Sequence, residues 1–225
     1  MLEAKKSRWF EKVFSIYTSN LLKRRFHSFR VSGLDVLRAK NSQMPMIIYV
    51  NHSSWWDGLV AFQISAKLKL DSFVMMEEKQ LKNLFLFRKL GAFSVIRENP
   101  REALESVNYA ANLLKVNSRR TLWIFPQGEI LPNNARPLRF YGGLSKIVER
   151  VGQCQVVPMA ICYEFLKDFK PEIFVKSGKA EVFGNFKTND SKRMTQNFET
   201  AMTSLLEELN TNILNNNFKK FEQII

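Results

Sequence analysis

The sequence predicts an α/β domain with a mixed central sheet flanked by helices, preceded by an N-terminal amphipathic helix. Three observations predict it. Short apolar runs of strand length alternate with longer segments of helical composition. Several runs end in turn-forming residues, as at Gly58 and Gly128. The 225 residues, 45% hydrophobic with 19 Phe, supply a sizeable core and show no internal repeat or long linker, so one domain with an extension accounts for them.

In chain order, residues 3–29 read as an amphipathic helix. Trp9, Phe10, Val13, Phe14, Ile16, Tyr17, Leu21 and Leu22 recur near helical spacing, with basic residues at both ends. Such a helix can dock on a domain core. It can also lie in a bilayer interface with its basic residues on anionic headgroups. One helix can serve both uses. Residues 31–41 read as a polar connector with a short strand over 31–36. Residues 46–50 are a buried strand, and 57–68 have the composition of a helix.

A second buried strand spans 72–76 and a helix 78–90, closed by Gly91. A strand over 93–96 leaves Arg97 at its exit, and Pro100 suits the first turn of a helix over 101–116. The strand 121–125 runs into Pro126-Gln127-Gly128-Glu129. After a loop rich in Asn and Pro come a helix over 138–151 and a strand over 156–161, which Pro158 makes irregular. Strands over 173–175 and 180–183 read as a pair turning at Ser177-Gly178. Asp190 or Ser191 caps a last helix whose face is Phe198, Met202, Leu205, Leu206, Leu209 and Ile213, and the tail after Asn210 is expected to fray.

The chemistry concentrates in Val50-Asn51-His52-Ser53-Ser54-Trp55-Trp56-Asp57-Gly58, just past a strand. Open α/β sheets place their sites at the carboxyl ends of strands. A histidine held at Nδ1 by a carboxylate keeps Nε2 free as a base. His52 and Asp57 therefore read as base and orienter, or as a satisfied core histidine with its partner. The motif supplies no obvious nucleophile.

Composition narrows the class. Residues 1–40 hold ten Lys/Arg against three acids, more than half of the net charge of +13. No nucleic-acid motif accompanies that charge, and its interleaving with an apolar helical face suits an anionic membrane surface better. No signal peptide and no run of transmembrane length is evident. Cys154 and Cys162 have neither disulfide nor metal spacing, and point to a reducing, cytosol-facing compartment.

The ordered motifs resemble the PlsC-like glycerolipid acyltransferase family, which includes lysophosphatidic acid acyltransferases. Asn51, His52 and Asp57 match its N-H-x4-D block. Gly91, Phe93 and Arg97 match the second block, Phe125, Pro126 and Gly128 part of the F-P-E-G-T-R block, and Val157 and Pro158 the fourth. The likeness covers about residues 45–165, four blocks in order, each at or near a strand. It implies an acyltransferase domain over 41–225 behind a basic, membrane-associating segment over 1–40.

The implied reaction moves a fatty acyl group from a thioester, acyl-CoA or acyl-carrier protein, to a lipid hydroxyl, with no further cofactor and no metal. His52 is the implied general base, Asp57 orients it, and backbone N–H groups at the Gly128 turn or Arg97 meet the oxyanion. Gln127, Glu129 and Ile130 depart from the third block, which helps hold an acceptor phosphate in the family. Arg97, Gln127, Gly128, Glu129, Arg136 and Arg139 are the acceptor-side candidates. Two acceptor readings follow: a hydroxylated lipid less dependent on phosphate, or 1-acylglycerol-3-phosphate with a site rebuilt from Arg136 and Arg139. A non-catalytic membrane-surface module and an inactive relative are the competing classes. The implied place is the cytoplasmic face of a membrane, peripheral or monotopic.

Overall fold

The computed structural model describes residues 1–39, 41, 43–184 and 190–224. Lys40, counted above in the basic N-terminal end, lies outside them. The chain begins with α1 (Arg8–Arg25), β1 (Ser28–Ser32), α2 (Leu34–Arg38), β2 (Met46–Val50), α3 (Asp57–Leu68) and β3 (Asp71–Glu77). Then come α4 (Glu78–Asn83), a 3-10 turn (Phe85–Leu90), β4 (Ala92–Val95), α5 (Pro100–Val116) and β5 (Arg120–Ile124). The last elements are α6 (Gly143–Val151), β6 (Cys154–Glu164), β7 (Glu172–Ser177), β8 (Glu181–Phe183), α7 (Ser191–Leu214) and β9 (Phe221–Gln223).

Among the described residues, nine strands form one sheet in the order β4-β3-β5-β2-β6-β7-β1-β9, with β8 paired to β6. The β4-β3-β5-β2-β6 half is parallel, while β7 and β8 meet β6 antiparallel. The sheet is therefore mixed, as expected. Alternation of side chains across a strand explains why the central runs are apolar throughout. Ile47 and Tyr49 face the layer with α5, α6 and α7, whereas Met46, Ile48 and Val50 face α1, α2 and α3.

The elements differ from their expected bounds at several places. The strand expected over 31–36 is instead the end of β1 followed by α2, and the helix expected over 138–151 begins only at Gly143. The N-terminal helix ends at Arg25, because Ser28–Ser32 pairs with β7 in the sheet. The expected 78–90 helix divides into α4 and the 3-10 turn. Pro158 lies inside a regular strand. Pairing with β8 ends at Val156 and pairing with β7 begins at Met159, so its missing N–H falls in the gap between them. For the same reason β7 and β8 are not a hairpin; each pairs separately with β6. The tail does not simply fray: β9 closes the sheet edge on β1, with Arg38 gripping Glu222 through two hydrogen bonds of 2.7–2.8 Å.

α1 docks one side on the domain and leaves the other exposed. Phe14 stacks edge-on against Phe62 of α3 and Phe87, at 5.2 and 5.8 Å, and Leu22 is fully buried. Trp9, Val13, Ile16 and Tyr17 stay exposed on the outer side. Among the described residues no helix is long and apolar enough to cross a membrane.

Candidate active site

β2 delivers Asn51 and His52 to the carboxyl edge of the sheet. Asn51 is buried and clamps the neighbouring strand, its Oδ1 accepting from Ile161 N at 2.8 Å and its Nδ2 donating to Ile161 O at 2.9 Å. The turn is thereby fixed against β6. His52 O accepts from Leu131 N at 2.9 Å, and His52 N donates to Gln127 Oε1 at 2.7 Å. The imidazole lies against Phe125, ring centres 4.8 Å apart.

Asp57 opens α3 and is completely buried. A carboxylate taken out of water must be satisfied by donors, and this one is. Oδ2 lies 2.8 Å from His52 Nδ1 and accepts from Ser53 N and Ser54 N at 2.7 and 2.9 Å. Oδ1 accepts from Tyr163 Oη at 2.7 Å. Burial, with the Asp57 charge beside it, pushes the Tyr163 phenol well above its ordinary value, so it stays a donor. With acceptors only on Asp57, the bridging proton sits on His52 Nδ1, and Nε2 carries the free lone pair.

His52 opens onto a cleft of about 1420 Å³, whose apolar walls include Phe14, Phe62, Phe73, Val74 and Phe87. Arg97 reaches it from beyond β4, stacked over the Tyr141 ring at 5.4 Å and 3.8 Å from Glu77. Gly128 has φ +74°, and a Cβ there would collide with the Arg97 guanidinium and come within 2.8 Å of Tyr141. Glycine is what this packing requires. Gly91 serves the strand start instead, since at φ +97° its added Cβ would lie 2.6 Å from Ser72 O.

The other sequence candidates divide. Glu129 and Ile130 line the cleft wall, exposed. Gln127 turns inward: it is buried and holds the His52 backbone. Arg136 hydrogen-bonds the Asn133 and Ala135 carbonyls of its own loop, at 3.0 and 2.8 Å, and neither it nor Arg139 lines the cleft. The Gly128 N–H itself is committed to Phe125 O at 3.0 Å, and Arg97 reaches the cleft.

Tyr163, Tyr141 and Glu77 were not singled out by the sequence. The first has no local signal. Glu77 had one, because adjacent parallel strands place it opposite Val95, two residues before Arg97. Among the described residues no group of three or more His, Cys, Asp or Glu converges as metal ligands would.

The fold is that of a known enzyme. The crystal structure of the 1-acyl-sn-glycerophosphate (LPA) acyltransferase PlsC from Thermotoga maritima superposes with a TM-score of 0.65 and 17% identity, covering 89% of this chain and 79% of that one. No curated protein matches the chain. The Acyltransferase family profile matches residues 28–162, more than half of the chain, from β1 to the strand that carries Tyr163's neighbour Cys162. The chain belongs to the acyltransferase family and is an acyl-transferring enzyme.

Proposed function

We propose that this enzyme moves a fatty acyl group from acyl-CoA or acyl-carrier protein to a hydroxyl of a membrane lipid, a lysophospholipid, glycerolipid or glycolipid, with His52 as general base. The observation that carries the reading is the His52–Asp57 pair of 2.8 Å, set at the opening of an apolar cleft. The lipid hydroxyl gives its proton to His52 Nε2 as its oxygen attacks the thioester carbonyl. Asp57 steadies the imidazolium that forms. The tetrahedral intermediate places its oxyanion toward Arg97. Its collapse breaks the C–S bond, and the leaving thiolate takes the proton back from His52. No enzyme nucleophile enters, and the apolar walls suit the acyl chain.

The proposed place is the cytoplasmic face of a membrane, peripheral or monotopic, and α1 supports the membrane contact. Its exposed Trp9, Val13, Ile16 and Tyr17 adjoin the exposed cations Lys23, Arg24 and Arg25. Sedimentation with anionic and neutral vesicles, with and without this segment, checks that placement.

The acceptor is less dependent on phosphate than a glycerophosphate acceptor site demands. Glu77 already faces Arg97, Glu129 adds a second negative wall, and Arg136 is turned onto its own loop. The second reading, 1-acylglycerol-3-phosphate as acceptor, rests on the likeness to the Thermotoga enzyme of that title and on Lys146 at the cleft wall. Comparing kcat/KM for lysophosphatidic acid and a neutral hydroxylated lipid separates them. A large advantage for lysophosphatidic acid overturns the first reading.

A further inference from the structure

We propose that the β6–β7 loop, residues 165–171, is a second bilayer contact that inserts into an anionic lipid surface at the sheet edge that carries His52. The inference rests on the reading that the acceptor is drawn from a membrane.

Loop tips in water are ordinarily polar. This one is Phe165-Leu166-Lys167-Asp168-Phe169-Lys170, with Phe165 69% and Phe169 84% exposed. Its one acid between the two Phe is already used. Asp168 pairs with His27 at 3.2 Å and accepts from Lys170 N at 3.0 Å. Past the exposed Glu164 that ends β6, what the loop turns outward is apolar and cationic, the combination that suits anionic headgroups over acyl chains.

The loop is held to the end of α1 that carries Lys23, Arg24 and Arg25. His27 N donates to Pro171 O at 2.9 Å, and Phe26 packs on Tyr163 and Trp56 at 5.8 and 5.1 Å. Lys170 lies over the Phe169 ring at 5.6 Å, Lys167 is exposed in the same loop, and Lys23, Arg24 and Arg25 are exposed at the helix end to which the loop is tied. The loop also has a fixed relation to the chemistry. β6 runs parallel to β2, so both strands end at the same edge of the sheet. The loop starts two residues after Tyr163, whose hydroxyl holds Asp57. Insertion there brings the sheet edge that carries His52 toward the source of the acceptor.

The test uses an environment-sensitive dye on the full chain, attached at F169C or, separately, at V13C on the outer side of α1. The native thiols do not compete. Cys154 and Cys162 are both buried, and burial pushes each up to about 12. Vesicles of phosphatidylglycerol are expected to blue-shift the dye at position 169, and vesicles of phosphatidylcholine to do so weakly. The double variant F165S/F169S is expected to bind phosphatidylglycerol vesicles at least about tenfold less tightly, and K167Q or K170Q about fivefold less tightly each. A shift at position 13 without one at 169 overturns the loop contact and leaves the α1 reading standing. A shift at 169 alone upholds the loop and removes the α1 reading. No shift at either removes both. A shift that needs no vesicles and grows with protein concentration means that a second copy covers the loop, and overturns the inference.

Discussion

Replacing Tyr163 with Phe removes one hydroxyl from behind the His52–Asp57 pair and nothing that lines the cleft. The hydroxyl donates to Asp57 Oδ1 at 2.7 Å, while the other three donors all converge on Oδ2. Without it, one oxygen of a fully buried carboxylate loses its donor, and the carboxylate is free to turn on its Cβ–Cγ bond. A hydrogen bond to a charged group contributes about 1.5–3 kcal/mol. If that loss appears wholly in the transition state, where the imidazolium needs an oriented counter-charge, kcat falls by about tenfold to a hundredfold. The substrate does not meet Tyr163, so KM is expected to change little. The assay is steady-state transfer of a labelled acyl group by Tyr163→Phe, beside a thermal melt to confirm folding. A folded variant with unchanged kcat refutes the idea that Tyr163 holds Asp57 for catalysis. A rise in KM with constant kcat refutes it too, because that pattern belongs to lost substrate binding.

Three further outcomes are expected. Gly128→Ala forces a side chain into φ +74° and into Arg97 and Tyr141, so kcat/KM falls and stability drops by about 1–2 kcal/mol; an unchanged melt and unchanged kinetics contradict the close packing. Glu77→Gln removes the carboxylate 3.8 Å from Arg97. Unit charges so placed attract by about 4 kcal/mol at an effective dielectric near 20, and partial exposure leaves a fraction of that, so kcat/KM for lysophosphatidic acid rises about fivefold relative to a neutral acceptor. No change in that ratio removes Glu77 from acceptor selection. Stability declines as pH rises through about 9 and then 10. Cys154 and Cys162, ordinarily near 9.0, and Tyr163, ordinarily near 10.0, are all raised by burial, so the folded chain keeps protons that the unfolded chain has released. Urea midpoints constant from pH 8 to 11 contradict this.

The parallel core and the His52–Asp57 contact were legible because both are local. Met46–Val50 is apolar at every position, since a central strand is covered on both faces, and the five-residue step from His52 to Asp57 spans one turn. What escaped depends on partners distant in sequence. Tyr163 meets Asp57 across 106 residues, and its position is set by the pairing of β6 with β2. Pro158 reads as a strand breaker until two partners share one edge of β6. The polar tail gains its strand only from the free edge of β1 and from the grip of Arg38 on Glu222. Charge patterning misled in the third block. Gln127 looked like a substrate group, yet it is spent on the His52 backbone, while Glu77, twenty residues from Arg97 in sequence, faces that cation.

The central claim is that His52 removes the proton from the acceptor hydroxyl. The direct measurement is kcat for labelled acyl transfer by purified His52→Ala, with folding confirmed by its melt. Loss of a general base lowers the rate by about a hundredfold to ten-thousandfold, and that is the predicted result. A folded His52→Ala enzyme that transfers the acyl group at close to the wild-type rate would contradict it.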